Sequence, residues 1–265
     1  MFLSRALTAA ALLAAFVCAL WFLERRALAG VAALILAVAG YEWARLGGMR
    51  KPVAGAYAAA CALLLLGFFP FLPLAVWLCG AAVLFWAVAV PLWLARGFAS
   101  CPAALMPAVG LVVLVPAGVA LLALSREQVL MVLGLVWIAD TAAYLVGRRF
   151  GKRKLAPLIS PGKTWEGVAG GLGATLIYAI IWALVDPGLA ARVKGEIWLP
   201  YLAAALLLFT ASVLGDLLES AAKRRAGAKD SGTLLPGHGG VLDRIDSATA
   251  TLPVALLLVQ MTGAK

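Results

Sequence analysis

The sequence predicts an all-α polytopic membrane protein with about nine transmembrane helices and a polar site in its C-terminal half. Of the 265 residues, 65% are hydrophobic and 13% are charged, whereas an average soluble domain has about 45–50% apolar and about 25% charged residues. The apolar residues form runs long enough to cross a bilayer, which takes about 20 residues of helix. The charged residues crowd into a few short segments, and we expect the chemistry there.

Nine apolar segments are candidate spans. They are 6–23, 27–46, 53–70, 73–95, 103–124, 128–147, 165–185, 197–218 and 245–262. Pro70 and Pro73 separate the third segment from the fourth, and the last segment begins with polar residues. We divide the chain into an N-terminal scaffold of transmembrane helices, 1–124, and a C-terminal catalytic half, 125–265.

The basic residues predict how these spans are oriented. With nine spans, 16 of the 22 Lys and Arg residues lie on the side that holds the amino terminus and both large polar loops, 148–164 and 219–244. Because cytoplasmic loops carry an excess of Lys and Arg, we predict a multi-pass protein of the cell inner membrane with its active site facing the cytoplasm. The net charge of +10 does not indicate nucleic-acid binding, since the bases lie between apolar segments and suit juxtamembrane loops or an anionic substrate.

The first half of the chain offers little chemistry. Glu42, near a span end, is the one acid inside its spans, and we interpret this half as scaffold and lipid-facing packing. The four cysteines lie in or beside apolar runs without a Cys-x-x-Cys pair, which is typical of small buried hydrophobic side chains rather than of metal ligands or disulfides.

The sixth span carries an acid. Asp140, Tyr144 and Arg148 are spaced i, i+4 and i+8, which places them on one helical face. Lipid exposure of a charged side chain is costly. The face is therefore either a structural Asp–Arg pair or the polar wall of an internal cavity.

The loop after this span predicts an anion site at the membrane surface. Pro161-Gly162 predicts a turn, and Thr164 is placed to cap the next helix with Glu166 in its first turn. Lys163 is thereby held beside a helix amino terminus, where anions are favoured. The glycines that follow predict close packing against another helix; they are Gly167, Gly170, Gly171 and Gly173.

The eighth span ends in a polar stripe along one helical face. Its members are Ser212, Asp216, Glu219, Ser220 and Lys223. Asp216 has apolar neighbours on both sides, and Asp243 and Asp246 follow at i, i+3 at the start of the last helix. Carboxylates from two helix ends suit Mg²⁺, which prefers a few carboxylates plus phosphate oxygens. The alternative is that these acids only form ion pairs, with Lys223, Arg224 and Arg244 as the partners.

Between these two helix ends lies a glycine-rich loop, Pro236-Gly237-His238-Gly239-Gly240. Its backbone amides are unobstructed by side chains and suit phosphate groups. His238 has three open roles: a base, a donor to phosphate, or a structural hydrogen-bonding residue.

The order of these polar residues resembles the signature of phosphatidate cytidylyltransferases, also called CDP-diacylglycerol synthases. The matching positions are Ser220, Lys223, Arg224, Lys229, Asp230, Pro236, His238, Gly239, Gly240, Asp243, Arg244 and Asp246. Upstream, Asp140-Thr141, Gly147-Arg148 and 160–167 look like the family's other blocks, with Ala142 where the family often has glycine. The recognisable blocks cover about 140–250.

The resemblance implies transfer of CMP from CTP to phosphatidate with release of pyrophosphate, Mg²⁺ as cofactor with K⁺ alongside as an option, and a homodimer in the bilayer. We assign catalysis to Asp216, Asp246, Lys223 and Asp243, with the metal held by Asp216, Asp243 and Asp246. We assign substrate binding to Ser220, Arg224, Lys229, Asp230, His238, Gly239, Gly240, Arg244, Lys163 and Asp140.

Two other functions fit parts of the pattern. A CTP-dependent polyprenol kinase resembles this family in its C-terminal half, and its lipid product would carry a phosphate instead of CMP. An ion-coupled membrane transporter would use Asp140 and Asp216 as an intramembrane relay, and it would show ion flux without CTP.

Overall fold

The computed structural model describes residues 2–96, 102–186, 189, 197–234 and 239–261. Most of the described chain is helical. The α-helices are α1 (Phe2–Phe22), α2 (Arg25–Leu46), α3 (Lys51–Phe68), α4 (Ala75–Leu84), α5 (Val90–Arg96), α6 (Met106–Ala123), α7 (Arg126–Phe150), α8 (Trp165–Val185), α9 (Trp198–Arg225) and α10 (Leu242–Met261).

The nine predicted spans lie in helical structure over their described residues, except for Leu23 and Leu124 at the ends of two spans. By length and composition, six helical segments of the described ranges are able to cross a bilayer; they are Arg25–Leu46, Lys51–Arg96, Ala103–Ala123, Arg126–Phe150, Trp165–Val185 and Trp198–Arg225. Part of α1, Leu13–Phe22, is a shorter apolar helix. The structure therefore fits a helical, multi-pass membrane protein, and the count of nine spans stays a prediction.

The predicted break between the third and fourth spans is a kink within helical structure. A 3₁₀ segment, Phe69–Leu74, joins α3 to α4 and contains two prolines, and Phe71 within it has non-helical backbone angles, φ −109° and ψ 25°. Proline cannot donate the helical N–H bond, which explains why the α-helix is interrupted there. A π-helical turn, Phe85–Ala89, then connects α4 to α5.

The glycines at the start of α8 let it pack closely against α7. A Cβ added to Gly167 would lie 2.8 Å from the carbonyl oxygen of Ala143, and one added to Gly171 would lie 3.0 Å from that of Ala139. Gly170 likewise faces Val146 of α7. The packing prediction is confirmed for these three glycines and is wrong for Gly173, since a Cβ there would have no neighbour within 4 Å.

A short β-hairpin precedes α8, and we did not predict it from the sequence. Strand β1 (Lys154–Ala156) pairs antiparallel with strand β2 (Ser160–Thr164), and Lys154 lies opposite Thr164. The predicted turn at Pro161-Gly162 is wrong, because both residues lie in β2 and the turn spans 157–159.

The base of the hairpin is fixed to α8 as the capping residues predict. Thr164 accepts a hydrogen bond from the Gly167 N–H at 3.1 Å, and the Glu166 carboxylate accepts from the backbone N–H groups of Lys152, at 3.0 Å, and Arg153. The cap prediction is confirmed. These bonds hold Lys163, the last residue but one of the hairpin, at the entrance to α8.

Helix α10 joins the two halves of the chain. It packs against α9 and also contacts α2, α4 and α6 of the first half. Helices α2 and α6 are tied together by a hydrogen bond from Trp43 Nε1 to the Met106 carbonyl oxygen at 2.7 Å. Both halves therefore position the start of α10; the division at residue 124 stays a prediction.

Candidate active site

Four elements bring acidic and basic side chains together. Asp140 lies on α7, Lys163 on β2, Asp216 on α9 and Asp246 in the second turn of α10. The three carboxylates and the lysine are close enough to interact electrostatically. We call Asp140, Asp216 and Asp246 the acidic cluster.

Lys163 is the cation paired with the acidic cluster. Its Nζ lies 2.5 Å from Asp216 Oδ2, and both side chains are about one-quarter exposed, at 26%. Ser220, one helical turn after Asp216, donates a hydrogen bond to Asp216 Oδ1 at 3.2 Å. The Asp246 carboxylate accepts one from the backbone N–H of Ser247 at 2.8 Å. With three carboxylates and one ammonium, the acidic cluster and Lys163 carry a formal charge of about −2 when all are ionised.

The helices α9 and α10 cross in direct backbone contact beside this cluster. A Cβ added to Gly215 would lie 2.5 Å from the Asp246 carbonyl oxygen and 3.0 Å from Ser247 Cα. Only a residue without a side chain allows such an approach. Gly215 therefore brings its neighbour Asp216 up to Asp246.

Lys223 holds the next pair of acids. Its Nζ lies 2.5 Å from Glu219 Oε2 and 2.6 Å from Asp243 Oδ1. The side chain of Glu219 is only 3% exposed, so its charge depends on this ion pair. Asp243 is thus paired with Lys223, one of the partners that the pairing alternative names, whereas Asp216 is paired with Lys163. That these acids only form ion pairs stays a prediction.

Asp243 contacts the part of the glycine-rich loop that the structure describes, Gly239-Gly240. Its Oδ2 accepts hydrogen bonds from the Ser231 N–H at 2.9 Å and the Gly240 N–H at 2.8 Å, and its Oδ1 contacts Lys223. Burial raises the pKa of the Asp243 carboxyl, but the hydrogen bonds that it accepts, first of all from Lys223, outweigh burial and hold its pKa well below the ordinary value. Gly239 has φ +78°, and a Cβ there would lie 2.5 Å from Asp243 Oδ2, so this position requires glycine.

Asp243, at the start of α10, is therefore bound by the N–H groups of Ser231 and Gly240 and by Lys223. Asp140 instead lies close to Asp216 and Asp246. The assignment from the sequence groups Asp243 with the metal ligands and Asp140 with the substrate-binding residues. Within the ranges that the structure describes, no group of three or more His, Cys, Asp or Glu side chains is positioned to hold a metal ion in this conformation. The ligand assignment stays a prediction.

The helical face that carries Asp140 does not show an ion pair between Asp140 and Arg148 in the described structure. Arg148 Nη1 donates to Tyr144 Oη at 3.4 Å, and the charged partners of Asp140 are Asp216 and Lys163. The structure therefore departs from the Asp–Arg pair, and the polar wall of an internal cavity stays a prediction.

The remaining predicted residues lie around the loop. Arg224 ties the hairpin to α9, with Nε donating to the Ile159 carbonyl oxygen at 3.1 Å and Nη1 to that of Ala228 at 3.2 Å. Lys229, Asp230 and Arg244 are exposed. His238 lies outside the described residues.

Two residues at this site were missed by the sequence reasoning. Glu42, which we interpreted as part of a scaffold, accepts hydrogen bonds from the start of α10. Ser231 Oγ lies 2.9 Å from a carboxylate oxygen of both Glu42 and Asp243. The available signal was an acid placed alone in an apolar segment, which requires a polar partner.

Comparisons of the sequence with known proteins identify its relatives. The sequence model of the "Cytidylyltransferase family" matches residues 3–262. A protein of Pseudomonas aeruginosa named phosphatidate cytidylyltransferase is 39% identical over 249 residues, 86% of each chain. Proteins of the same name from Haemophilus influenzae and Bacillus subtilis match locally, with 53% identity over 122 residues (45% of this chain, 41% of that protein) and 45% over 129 (48% and 45%). The chain belongs to the cytidylyltransferase family.

Proposed function

We propose that this protein transfers CMP from CTP to phosphatidate, giving CDP-diacylglycerol and pyrophosphate in phospholipid biosynthesis. The observation that carries the proposal is the 39% identity to the Pseudomonas aeruginosa protein over 86% of both chains. The geometry supports it, because an acidic cluster and two fixed lysines lie at the ends of apolar helices, where a lipid headgroup and a soluble nucleotide can meet.

The chemistry of the donor set suits a divalent cation, and the three carboxylates would have to draw closer together than in the conformation described to share one. The acidic cluster offers carboxylate oxygens, which Mg²⁺ prefers, and its formal charge with Lys163 of about −2 would be balanced by one such ion. We propose Asp216 and Asp246 as the principal ligands, with Asp140 or Asp243 beside them and K⁺ as an optional companion. When bound, Mg²⁺ supplies charge neutralisation for the phosphates.

Lys163 and Lys223 offer N–H donors that suit phosphate oxygens. Each lysine ammonium has three N–H donors, and two of those on Lys223 face Glu219 and Asp243. The third suits a phosphate oxygen of CTP, and Arg244 at the same helix end suits the same group. Lys163, carried by the hairpin at the start of α8, suits the phosphate of phosphatidate. Ser220 keeps Asp216 oriented through the hydrogen bond to Oδ1.

The reaction needs positioning more than proton transfer. A phosphate oxygen of phosphatidate attacks the α-phosphorus of CTP, a bond forms between them, and the bond from that phosphorus to the pyrophosphate oxygen breaks. The nucleophile is already an anion, so no strong general base is required. The barrier is the mutual repulsion of two polyanions, which fixed cations reduce.

We further propose that the site faces the cytoplasm from the cell inner membrane and that the protein is a homodimer. The excess of Lys and Arg on one side of the predicted spans supports the orientation, and CTP is available there. The dimer is an expectation from the family resemblance.

The test uses the purified protein with CTP, phosphatidate and Mg²⁺, with pyrophosphate release and the lipid product measured together. We expect equal amounts of pyrophosphate and CDP-diacylglycerol. In a parallel assay with a polyprenol in place of phosphatidate, a phosphorylated polyprenol with release of CDP would favour the kinase. Ion flux without CTP would favour the transporter. A suitable control is Glu127→Gln, which alters an exposed acid in the first turn of α7 and should keep full activity.

A further inference from the structure

Glu42 is a buried acid in the first half of the chain. It lies in the last part of α2, and only 5% of it is exposed. Its Oε1 accepts a hydrogen bond from the Val241 N–H at 3.0 Å, and its Oε2 accepts one from the Leu242 N–H at 2.8 Å. Burial of a carboxylate is costly unless hydrogen bonds compensate it. Here the N–H groups of Leu242, the first residue of α10, and of Val241 just before it do so, at the helix end where negative charge is favoured.

The same carboxylate also contacts the first residues of the 231–242 loop, which forms the later part of the connection between α9 and α10. Ser231 Oγ lies 2.9 Å from Glu42 Oε2. A Cβ added to Gly232 would lie 2.5 Å from Glu42 Oε1, and one added to Gly240 would meet Oε2. Both ends of the loop are therefore fastened to one side chain from α2.

These contacts continue into the active site. Ser231 lies between Glu42 and Asp243, and Asp243 is paired with Lys223. Leu242, whose N–H binds Glu42, immediately precedes Asp243 and lies one helical turn before Asp246. A displacement of the Glu42 carboxylate would therefore move the start of α10 and the acid at its second turn.

We propose that Glu42 is a positioning residue of the active site, which fixes the two described ends of the 231–242 loop, 231–232 and 240–242, so that Asp243 and Asp246 at the start of α10 face α9. The inference rests on the proposed function for its kinetic effect but not for its effect on the loop. It assigns an active-site role to a half of the chain that the sequence alone presents as scaffold.

The test compares Glu42→Gln with Tyr57→Phe. The glutamine keeps the shape of the side chain but turns an NH₂ group towards N–H and O–H donors that need an acceptor. Tyr57 is the matched control, because its hydroxyl donates to the Pro107 carbonyl oxygen at 2.7 Å, which joins α3 to α6 away from the loop. Both variants lose a partly or fully buried polar contact of the first half.

At equal amounts of folded enzyme, Glu42→Gln should lower kcat/KM for CTP at least tenfold and raise the Mg²⁺ concentration for half-maximal activity. Glu42→Asp, which restores the charge, should recover part of the loss. Tyr57→Phe should change the melting temperature but neither kinetic quantity. Wild-type kinetics in Glu42→Gln, or equal losses in both variants, would overturn the inference.

A second measurement does not depend on the proposed reaction. Lys229 is exposed and precedes the loop, so cleavage there by a lysine-specific protease reports loosening of the loop. We expect faster cleavage at Lys229 in Glu42→Gln than in the wild type or in Tyr57→Phe. If the wild type transferred no CMP but Glu42→Gln were cleaved faster, the proposed function would fail and the inference about the loop would stand. Equal cleavage rates would overturn the inference about the loop.

Discussion

Replacing Gly215 by alanine tests whether the crossing of α9 and α10 sets the active-site geometry. The added Cβ would lie 2.5 Å from the Asp246 carbonyl oxygen, whereas ordinary contact begins at 3.4 Å, so α10 must move by about 0.9 Å. Both nearest groups are backbone atoms and cannot rotate away. Overpacking of this kind costs about 1–3 kcal/mol. A misplacement of about 1 Å at a catalytic site can cost about 10²-fold in rate.

The assay is CDP-diacylglycerol formation with the melting temperature measured on the same preparation. Gly173→Ala is the matched control, because it adds the same methyl group to a membrane helix where no atom lies within 4 Å. We expect Gly215→Ala to lose about 10²-fold in kcat/KM and Gly173→Ala to keep wild-type activity. If Gly215→Ala were as active as Gly173→Ala, the helix crossing would not position Asp216 and Asp246.

Three further substitutions have defined outcomes. Asp246→Asn should abolish CMP transfer while circular dichroism shows unchanged helix content, because the amide lacks the negative charge that a divalent ion needs; wild-type turnover would refute the ligand role. Gly239→Ala should lower kcat/KM at least tenfold, since φ +78° costs about 1–2 kcal/mol for a residue with a Cβ and the methyl group would meet Asp243; unchanged kinetics would show that the loop adapts. Thr164→Val should lower the free energy of unfolding by about 1 kcal/mol through loss of the cap on α8, measured by chemical denaturation in detergent, and an unchanged value would show that the Gly167 N–H finds another acceptor.

Local patterns in the sequence predicted the local structure. The apolar segments are helical because their length and composition suit a transmembrane span. Thr164 caps α8 because it precedes Gly167 by three residues, which is the spacing at which its hydroxyl accepts a hydrogen bond from the Gly167 N–H. The stripe on α9 placed Asp216, Ser220 and Lys223 on one face, and the structure brings all three to the site.

Contacts between distant parts of the chain could not be predicted in the same way. Glu42 and Leu242 are 200 positions apart, so no periodicity links them. The strands of the hairpin have three and five residues, too few to show alternation, and β2 contains the Pro161-Gly162 pair that ordinarily marks a turn. Gly173 differs from Gly167, Gly170 and Gly171 because it does not face α7. The sequence does not show which side of α8 packs against α7.

The central claim is that CMP passes from CTP to phosphatidate. It is tested most directly by following labels at two different phosphates of CTP. The purified protein is incubated with phosphatidate, Mg²⁺ and CTP labelled either at the α-phosphate or at the γ-phosphate. If CMP is transferred, the α label enters the lipid and the γ label leaves as pyrophosphate. Neither should happen with the Asp246→Asn variant. The account would be contradicted if the γ label entered the lipid. It would also be contradicted if the folded wild-type protein transferred no label to the lipid.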